Sequence, residues 1–241
     1  MLCSTGELLW GAARRALEDT PGSWALFYCE CGRLRVFALS TRWVVIETVR
    51  CASSDFEPWG FIADRYAGAE LALRLGAGPV ELRFDGASAS AGATGVPARA
   101  LGGPTPYGDW TGQQCVDEIS EIDSQLPWVA DIDAGLLRAA FAGREYTTVC
   151  ADPSGVTADG GDVSARGCPS GRRMRVGIEA AALAALPSRG RLAMRAAGAD
   201  YAVAFDADPD SERPHARITL LASPVSAETH EDVLCAMLSD I

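Results

Sequence analysis

The sequence reads as an α+β protein of two domains, each a pseudo-twofold pair of units in which a short helix precedes antiparallel strands. Three features predict this. A Leu/Ala helical pattern followed by alternating apolar segments occurs four times along the 241 residues. The recurring unit is roughly fifty to sixty residues, too short for a comfortable core of its own, so the units are expected to pair into domains of ordinary size. Finally, 48% of the residues are hydrophobic, enough for a folded interior.

The first unit places Leu8, Leu9, Ala12, Ala13, Ala16 and Leu17 at helical spacing within Glu7–Leu17, and Pro21-Gly22 ends that helix. Trp24–Tyr28 alternates, turns near Glu30–Gly32 and returns through Leu34–Leu39, which predicts a hairpin. Trp43-Val44-Val45-Ile46 is apolar on both faces and reads as a central strand. The second unit opens at Gly60-Phe61-Ile62. Its helix, Tyr66–Leu75, carries Ala67, Leu71 and Leu75 on one face and stops at Gly76-Ala77-Gly78-Pro79. Strands are expected at Val80–Phe84 and Ser88–Val96, joined by the favoured turn pair Asp85-Gly86. Gly102-Gly103-Pro104 and Pro106 then break regular structure.

Thr111–Leu126 differs in character. It is acidic, with Val116, Ile119 and Ile122 three residues apart, and reads as a solvated linker between domains that lies against the surface. Trp128–Ile132 restarts the pattern. A helix over Asp133–Phe141 follows, with Leu136, Leu137, Ala140 and Phe141 as its apolar residues, then strands at Tyr146–Cys150 and Gly155–Thr157. The fourth unit begins Arg175-Val176-Gly177-Ile178 and continues as a helix over Glu179–Leu186 stopped by Pro187. Its strands are Leu192–Arg195, Tyr201–Phe205 and Arg217–Leu221. From Ala227 onward, Val233, Leu234, Met237, Leu238 and Ile241 predict an amphipathic C-terminal helix.

A formal net charge of −11 argues against a protein whose whole surface grips nucleic acid, while leaving room for a local stripe among the 21 basic residues, all of them arginine. Met1-Leu2-Cys3-Ser4 lacks the basic start and apolar core of a secretion signal, and no apolar stretch reaches the ~18–20 residues that cross a bilayer. A cytoplasmic protein without a membrane partner is expected. The eight cysteines then read as reduced and mostly buried thiols, with Cys29, Cys150 and Cys235 lying in apolar runs.

Covalent chemistry finds little support. His215 and His230, the two histidines, sit in polar surroundings with nothing that marks a Ser/His/Asp arrangement. Cys29-Glu30-Cys31 with Cys51 and Cys3 offers four thiols, but paired zinc cysteines usually stand two to four residues apart. A tight turn with buried and exposed cysteines is the reading, and neither metal nor cofactor is expected. The acidic loops Asp152–Gly155 and Asp206–Asp210 do not match a calcium loop, and the glycines at Gly76–Gly78 and Gly160-Gly161 lack the lysine of a phosphate loop. The chain is not expected to be an enzyme.

The fourfold pattern and its local strings resemble the DNA polymerase sliding clamps, the bacterial β-clamps in particular. Arg175–Ile178 with its helix, running on to Ile218-Thr219-Leu220-Leu221-Ala222-Ser223-Pro224-Val225, is similar to the last half-domain of bacterial clamps, with Ser223-Pro224 standing where those have Met-Pro. Gly60-Phe61-Ile62-Ala63 with its helix, Pro79–Phe84 and Gly103–Trp110 resemble the second half of the first bacterial clamp domain. The bacterial family has three such domains per chain and closes as a dimer; archaeal, eukaryotic and some phage clamps have two and close as trimers. The resemblance therefore implies clamp domain 1 at residues 1–112, an interdomain connector at 113–126, clamp domain 2 at 127–226 and a helical tail at 227–241. It further implies a ring-shaped homotrimer, with a dimer as the other closed form, around duplex DNA. DNA polymerase, a clamp loader or other clamp-binding peptides would be its partners.

A clamp needs positive charge on the helices that line its hole, and such phosphate contacts carry affinity without reading sequence. The candidates are Arg14, Arg15, Arg65, Arg74, Arg138 and Arg144; Arg14, Arg15 and Arg138 fall off the Leu stripes of their helices and are expected to point away from the sheet. The helix at 179–186 carries only Glu179, Ala and Leu, with arginines confined to its flanks. A partner-peptide groove would be built by Ile119, Ile122 and Leu126 of the connector with Leu221, Ser223 and Pro224 of the last strand. The competing reading is a clamp-fold regulatory or interaction protein that does not encircle DNA, favoured by the acidic charge and the arginine-poor fourth helix. A small-molecule-binding or hydrolytic domain is a more distant one.

Overall fold

The structure is a computed structural model that describes residues 1–5, 8–9, 11–53, 57–106, 110–143, 146–164, 174–179, 183–197, 202–207 and 217–222. Two compact units are present, one made chiefly of Met1–Ser40 and Val45–Glu121, the other chiefly of Ile122–Asp208.

The first unit runs β1 (Leu2–Thr5), α1 (Ala12–Asp19), β2 (Trp24–Glu30), β3 (Arg33–Leu39), β4 (Trp43–Ser53), β5 (Trp59–Asp64), α2 (Arg65–Ala77), β6 (Glu81–Phe84), β7 (Ser88–Ala91), β8 (Thr94–Pro97) and β9 (Arg99–Ala100). The hairpin β2–β3 pairs Trp24 with Leu39 and Glu30 with Arg33, and β6, β7 and β8 form an antiparallel meander. Pairing between the two halves is reciprocal. The opening strand β1 lies beside β6, with Cys3 opposite Leu82, while β5 lies beside β2, with Phe27 opposite Phe61. Each opening strand thus completes the sheet behind the other half's helix. The two halves share a core, with Phe61 of β5 stacked on both Phe27 and Phe84.

In chain order α3 (Gly112–Gln125) comes next. The second unit then repeats the exchange. Its elements are β10 (Trp128–Asp133), α4 (Ala134–Ala140), β11 (Tyr146–Asp152), β12 (Gly155–Ala158), β13 (Gly161–Asp162), β14 (Met174–Glu179), β15 (Arg191–Ala196), β16 (Val203–Ala207) and β17 (Arg217–Ala222). The opening strand β10 pairs with β15, and β14 pairs with β11.

The cores follow from the alternation. In the first unit, Phe27 stacks on Phe61 at 4.8 Å between centroids and Phe61 on Phe84 at 5.2 Å. In the second, Ile132, Val149, Ile178, Leu192, Met194 and Phe205 are fully enclosed. Each such side chain contributes about 1.5–3 kcal/mol relative to exposure. Arg195 on β15 closes a polar corner of that unit, donating to Asp206 at 2.7 Å and to the Asp123 carbonyl at the end of α3 at 2.6 Å.

Some sequence expectations are corrected. The first helix begins at Ala12, not Glu7, because Gly11 takes a left-handed φ of 78° and the Leu9 amide donates to the Leu75 carbonyl instead of a helical partner. Glu7 and Trp10 lie outside the described residues. Thr111–Leu126 is not freely solvated: Gly112–Gln125 is an amphipathic helix with Cys115, Val116, Ile119 and Ile122 buried, and Leu126 just beyond it is buried as well. Its start is fixed by a reciprocal box: Gln114 accepts from the Thr111 amide at 2.8 Å and the Thr111 hydroxyl accepts from the Gln114 amide at 3.2 Å. Leu136, counted among the apolar positions of its helix, is 49% exposed. Glu179 ends a strand; of the fourth predicted helix, Leu183 is helical and residues 180–182 lie outside the described set. The C-terminal helix from Ala227 and Tyr201 lie outside it as well. Among the described residues no helix is long and apolar enough to cross a membrane.

Candidate nucleic-acid interface

The candidate surface of the first unit is built by α1 and α2, which pack on one another and on β2, β3 and β5. Their inner faces explain the fit. On α1 the buried residues are Ala12, Ala13, Ala16 and Leu17, and on α2 they are Ala67, Gly68, Leu71, Ala72 and Leu75. At Gly68 a side-chain carbon would stand 2.3 Å from the Cβ of Ala25, so α2 rides directly on β2. The N-terminus of α2 is capped by Asp64, whose carboxylate accepts from the Ala67 amide at 2.9 Å. That of α1 has no cap from its own segment. Glu47 of β4, only 2% exposed, supplies one by accepting from the Ala13 amide at 2.8 Å.

The outer faces carry the nominated arginines. Arg14 forms an i,i+4 pair with Glu18 at 3.1 Å, and Arg74 pairs with Glu70 at 2.9 Å with half of its side chain exposed. Arg15 lies half-buried one residue on from Arg14. Pairs this exposed contribute about 0.3–0.5 kcal/mol, little enough for a phosphate to displace the carboxylate. Beside them, Tyr66 and Leu73 of α2 are 75% and 41% exposed.

Arg65 has a different task. Helix α1 ends in Glu18-Asp19, acidic residues at the negative end of its dipole. The guanidinium of Arg65 donates to the Glu18 carbonyl there and lies 5.1 Å from the Tyr66 ring centre. Arg138 does the equivalent in the second unit. From α4 it donates to the carbonyls of Leu183 and Ala184, at 3.2 and 3.0 Å, and to that of Leu186. Both residues therefore supply positive charge to carbonyls at helix ends, where intrahelical donors run out. Arg144 lies outside the described residues.

Three of the residues nominated for a peptide groove are buried. Ile119, Ile122 and Leu126 retain 6%, 6% and 4% of their surface. Leu221 belongs to β17 as expected, while Ser223 and Pro224 lie outside the described residues. Sequence reasoning missed the Glu47 cap, which no local spacing reveals. It also missed the Thr111–Gln114 box, which the string Thr-Gly-Gln-Gln does signal. A concavity of about 360 Å³ in the second unit, lined by Leu136, Ala139, Asp159 and Val163, was likewise not anticipated.

Comparison with known proteins gives the architecture its name. No family model matches the sequence, and no curated protein does. Solved structures do match. An A. fulgidus PCNA bound to the C-terminal region of FEN-1 aligns at a TM-score of 0.60 and 16% identity, over 95% of this chain and 100% of that one. The DNA polymerase sliding clamp from Bacillus subtilis aligns at 0.62 and 14% identity, over 94% of this chain and 64% of that one. A Helicobacter pylori beta clamp bound to a DNA ligase peptide aligns at 0.62 and 12% identity, over 93% and 65%. The chain thus spans about two thirds of the bacterial clamps and the whole of the archaeal one, and its fold is that of the sliding clamps.

Proposed function

We propose that this chain is a DNA sliding clamp, or a clamp-like processivity factor, that encircles duplex DNA and tethers polymerase or repair partners without doing chemistry itself. One observation carries the reading: the fold aligns with the archaeal clamp over its entire length. On this reading the two compact units are two clamp domains, and three copies supply the six domains of a closed ring. Partners are peptides of DNA-processing enzymes, as in the archaeal and H. pylori neighbours with their FEN-1 and DNA ligase segments.

Within the ring, Arg14, Arg15 and Arg74 are the residues that turn to phosphate, together with Arg144. Arg65 and Arg138 contribute charge from positions already engaged with helix-end carbonyls. A peptide groove is assigned to α3 and β17 around Ile119, Ile122, Leu126, Leu221, Ser223 and Pro224. Binding is topological, so residence is long while direct affinity stays weak and salt-sensitive.

A second reading has its own support. Arg14 and Arg74 are matched by Glu18 and Glu70 on the same helices, and the formal charge is −11. These features suit a clamp-fold interaction protein that does not encircle DNA. Two measurements separate the readings. A solution mass of three times 25.3 kDa, with retention on nicked circular DNA that is lost on linearisation, supports the ring. A monomer that leaves circular and linear DNA alike supports the interaction protein.

A further inference from the structure

Three strands of the first unit bring together three thiols that are far apart in sequence. Cys3 on β1, Cys29 on β2 and Cys51 on β4 have sulfur atoms all within 4.8 Å of one another, the Cys29–Cys51 pair at 3.5 Å. Cys3 and Cys29 are 0% and 1% exposed, and Cys51 is half-buried. The strand registers fix this convergence. Cys3 stands opposite Ser53 and Thr5 opposite Cys51 on β1–β4, while the Cys51 amide donates to the Gly32 carbonyl at 2.9 Å and so ties β4 to the β2–β3 turn.

We propose that Cys3, Cys29 and Cys51 form a three-thiolate site for a soft, thiophilic d10 cation, Zn(II) or Cu(I). The spacing fits. With metal–sulfur bonds of about 2.3 Å, ligating sulfurs lie about 3.8 Å apart in a tetrahedral site and about 4.0 Å apart in a trigonal one. Those values fall between the 3.5 Å of the Cys29–Cys51 pair and the 4.8 Å limit of the set. The donor set is sulfur alone, which selects thiophilic ions over calcium, magnesium or manganese. Linear spacing hid the site: Cys29 and Cys31 are separated by a single residue, and Cys31 turns outward at a left-handed φ of 51°. The ligands come instead from three strands. Cu(I) is satisfied by the three sulfurs, whereas Zn(II) takes a water in its fourth position. A bound ion ties β1, the strand exchanged with the other half, to β2 and β4.

The test uses the full chain, reduced and free of oxygen, incubated separately with Zn(II) and with Cu(I), desalted, and weighed by native mass spectrometry. One ion per chain is expected in at least one arm, falling below one tenth in the Cys29→Ser and Cys51→Ser variants and unchanged in Cys150→Ser. Alkylation mapping of the unmutated protein keeps the test open should a variant fold poorly: metal should slow modification of Cys51 at least tenfold and leave Cys31 unaffected. Retention of neither ion overturns the proposal. So does retention that survives both substitutions, or alkylation of Cys51 that metal does not slow.

Discussion

The Oε2 atom of Glu47 lies 2.8 Å from the backbone nitrogen of Ala13, joining the middle of β4 to the first turn of α1. A carboxylate that is 2% exposed is costly to bury unless its partners compensate, and the Ala13 amide and the dipole of the helix N-terminus contribute to that here. Removing it leaves a buried donor without an acceptor. Glu47→Ala should therefore lose about 2 kcal/mol in urea unfolding. Glu47→Gln keeps an oxygen acceptor without the charge and should lose less. Equal losses for the two substitutions would show that the hydrogen bond is not what holds the helix.

Gly68 tests how tightly α2 sits on the sheet. In an exposed helix, Gly→Ala gains about 1 kcal/mol. Here the added methyl would meet the Cβ of Ala25 at 2.3 Å and Leu17 at 3.3 Å. Gly68→Ala is expected to be destabilising by about 1–3 kcal/mol. Combining it with Ala25→Gly should recover part of the loss, read as a favourable coupling in a double-mutant cycle of thermal midpoints.

Much of this fold was legible because its signals are local. The β2–β3 hairpin, α2 between Asp64 and Gly78, and the Asp85-Gly86 turn all follow from alternation, helical spacing and turn chemistry within a few residues. Thr111–Gln125 was misread because its acidic composition outweighed the apolar positions at 115, 119, 122 and 126, which are helical, and the capping string at its start. Other features were not legible at all. Glu47 is 34 residues from the helix that it caps, and Cys3, Cys29 and Cys51 meet only once three strands have taken register. The nominated arginines were found by position, but their partners were not. Whether a guanidinium serves a carbonyl, as Arg138 does, or a neighbouring carboxylate, as Arg74 does, depends on tertiary placement.

The turn between β6 and β7 should respond to acid. Asp85 accepts from the amides of Ala87 and Ser88, at 3.0 and 2.7 Å, and from the Ser88 hydroxyl at 2.8 Å. These bonds, the Ala87 and Ser88 amides foremost, hold its carboxyl at about 2 against an ordinary 3.8. A lowered folded-state pKa contributes stability that is complete above the ordinary value and lost as pH falls towards the lowered one. Amide exchange at Ser88 should therefore be protected above about pH 4 and lose protection as the pH approaches 2. In Asp85→Ala that protection should be missing throughout. A Ser88 profile identical in both proteins would remove the carboxylate from the account.

The arginines divide into two groups that substitution can tell apart. Arg14 and Arg74 form exposed pairs with Glu18 and Glu70, so changing each to Gln should alter stability by less than about 0.5 kcal/mol. If they face phosphate, the Arg14→Gln, Arg15→Gln, Arg74→Gln triple variant should weaken DNA binding and flatten its salt dependence. The slope of log K against log salt should fall by about 0.9 for each phosphate that is no longer neutralised. Arg138 should behave in the opposite sense. Its guanidinium serves the carbonyls of Leu183, Ala184 and Leu186, and Arg138→Ala removes that donor from all three. Unfolding of that variant should be easier by about 1–3 kcal/mol, with a smaller change in the salt slope than the triple substitution gives. A normal unfolding midpoint for Arg138→Ala, together with a salt slope shallower by a full unit, would move Arg138 from a structural role to the DNA-facing set.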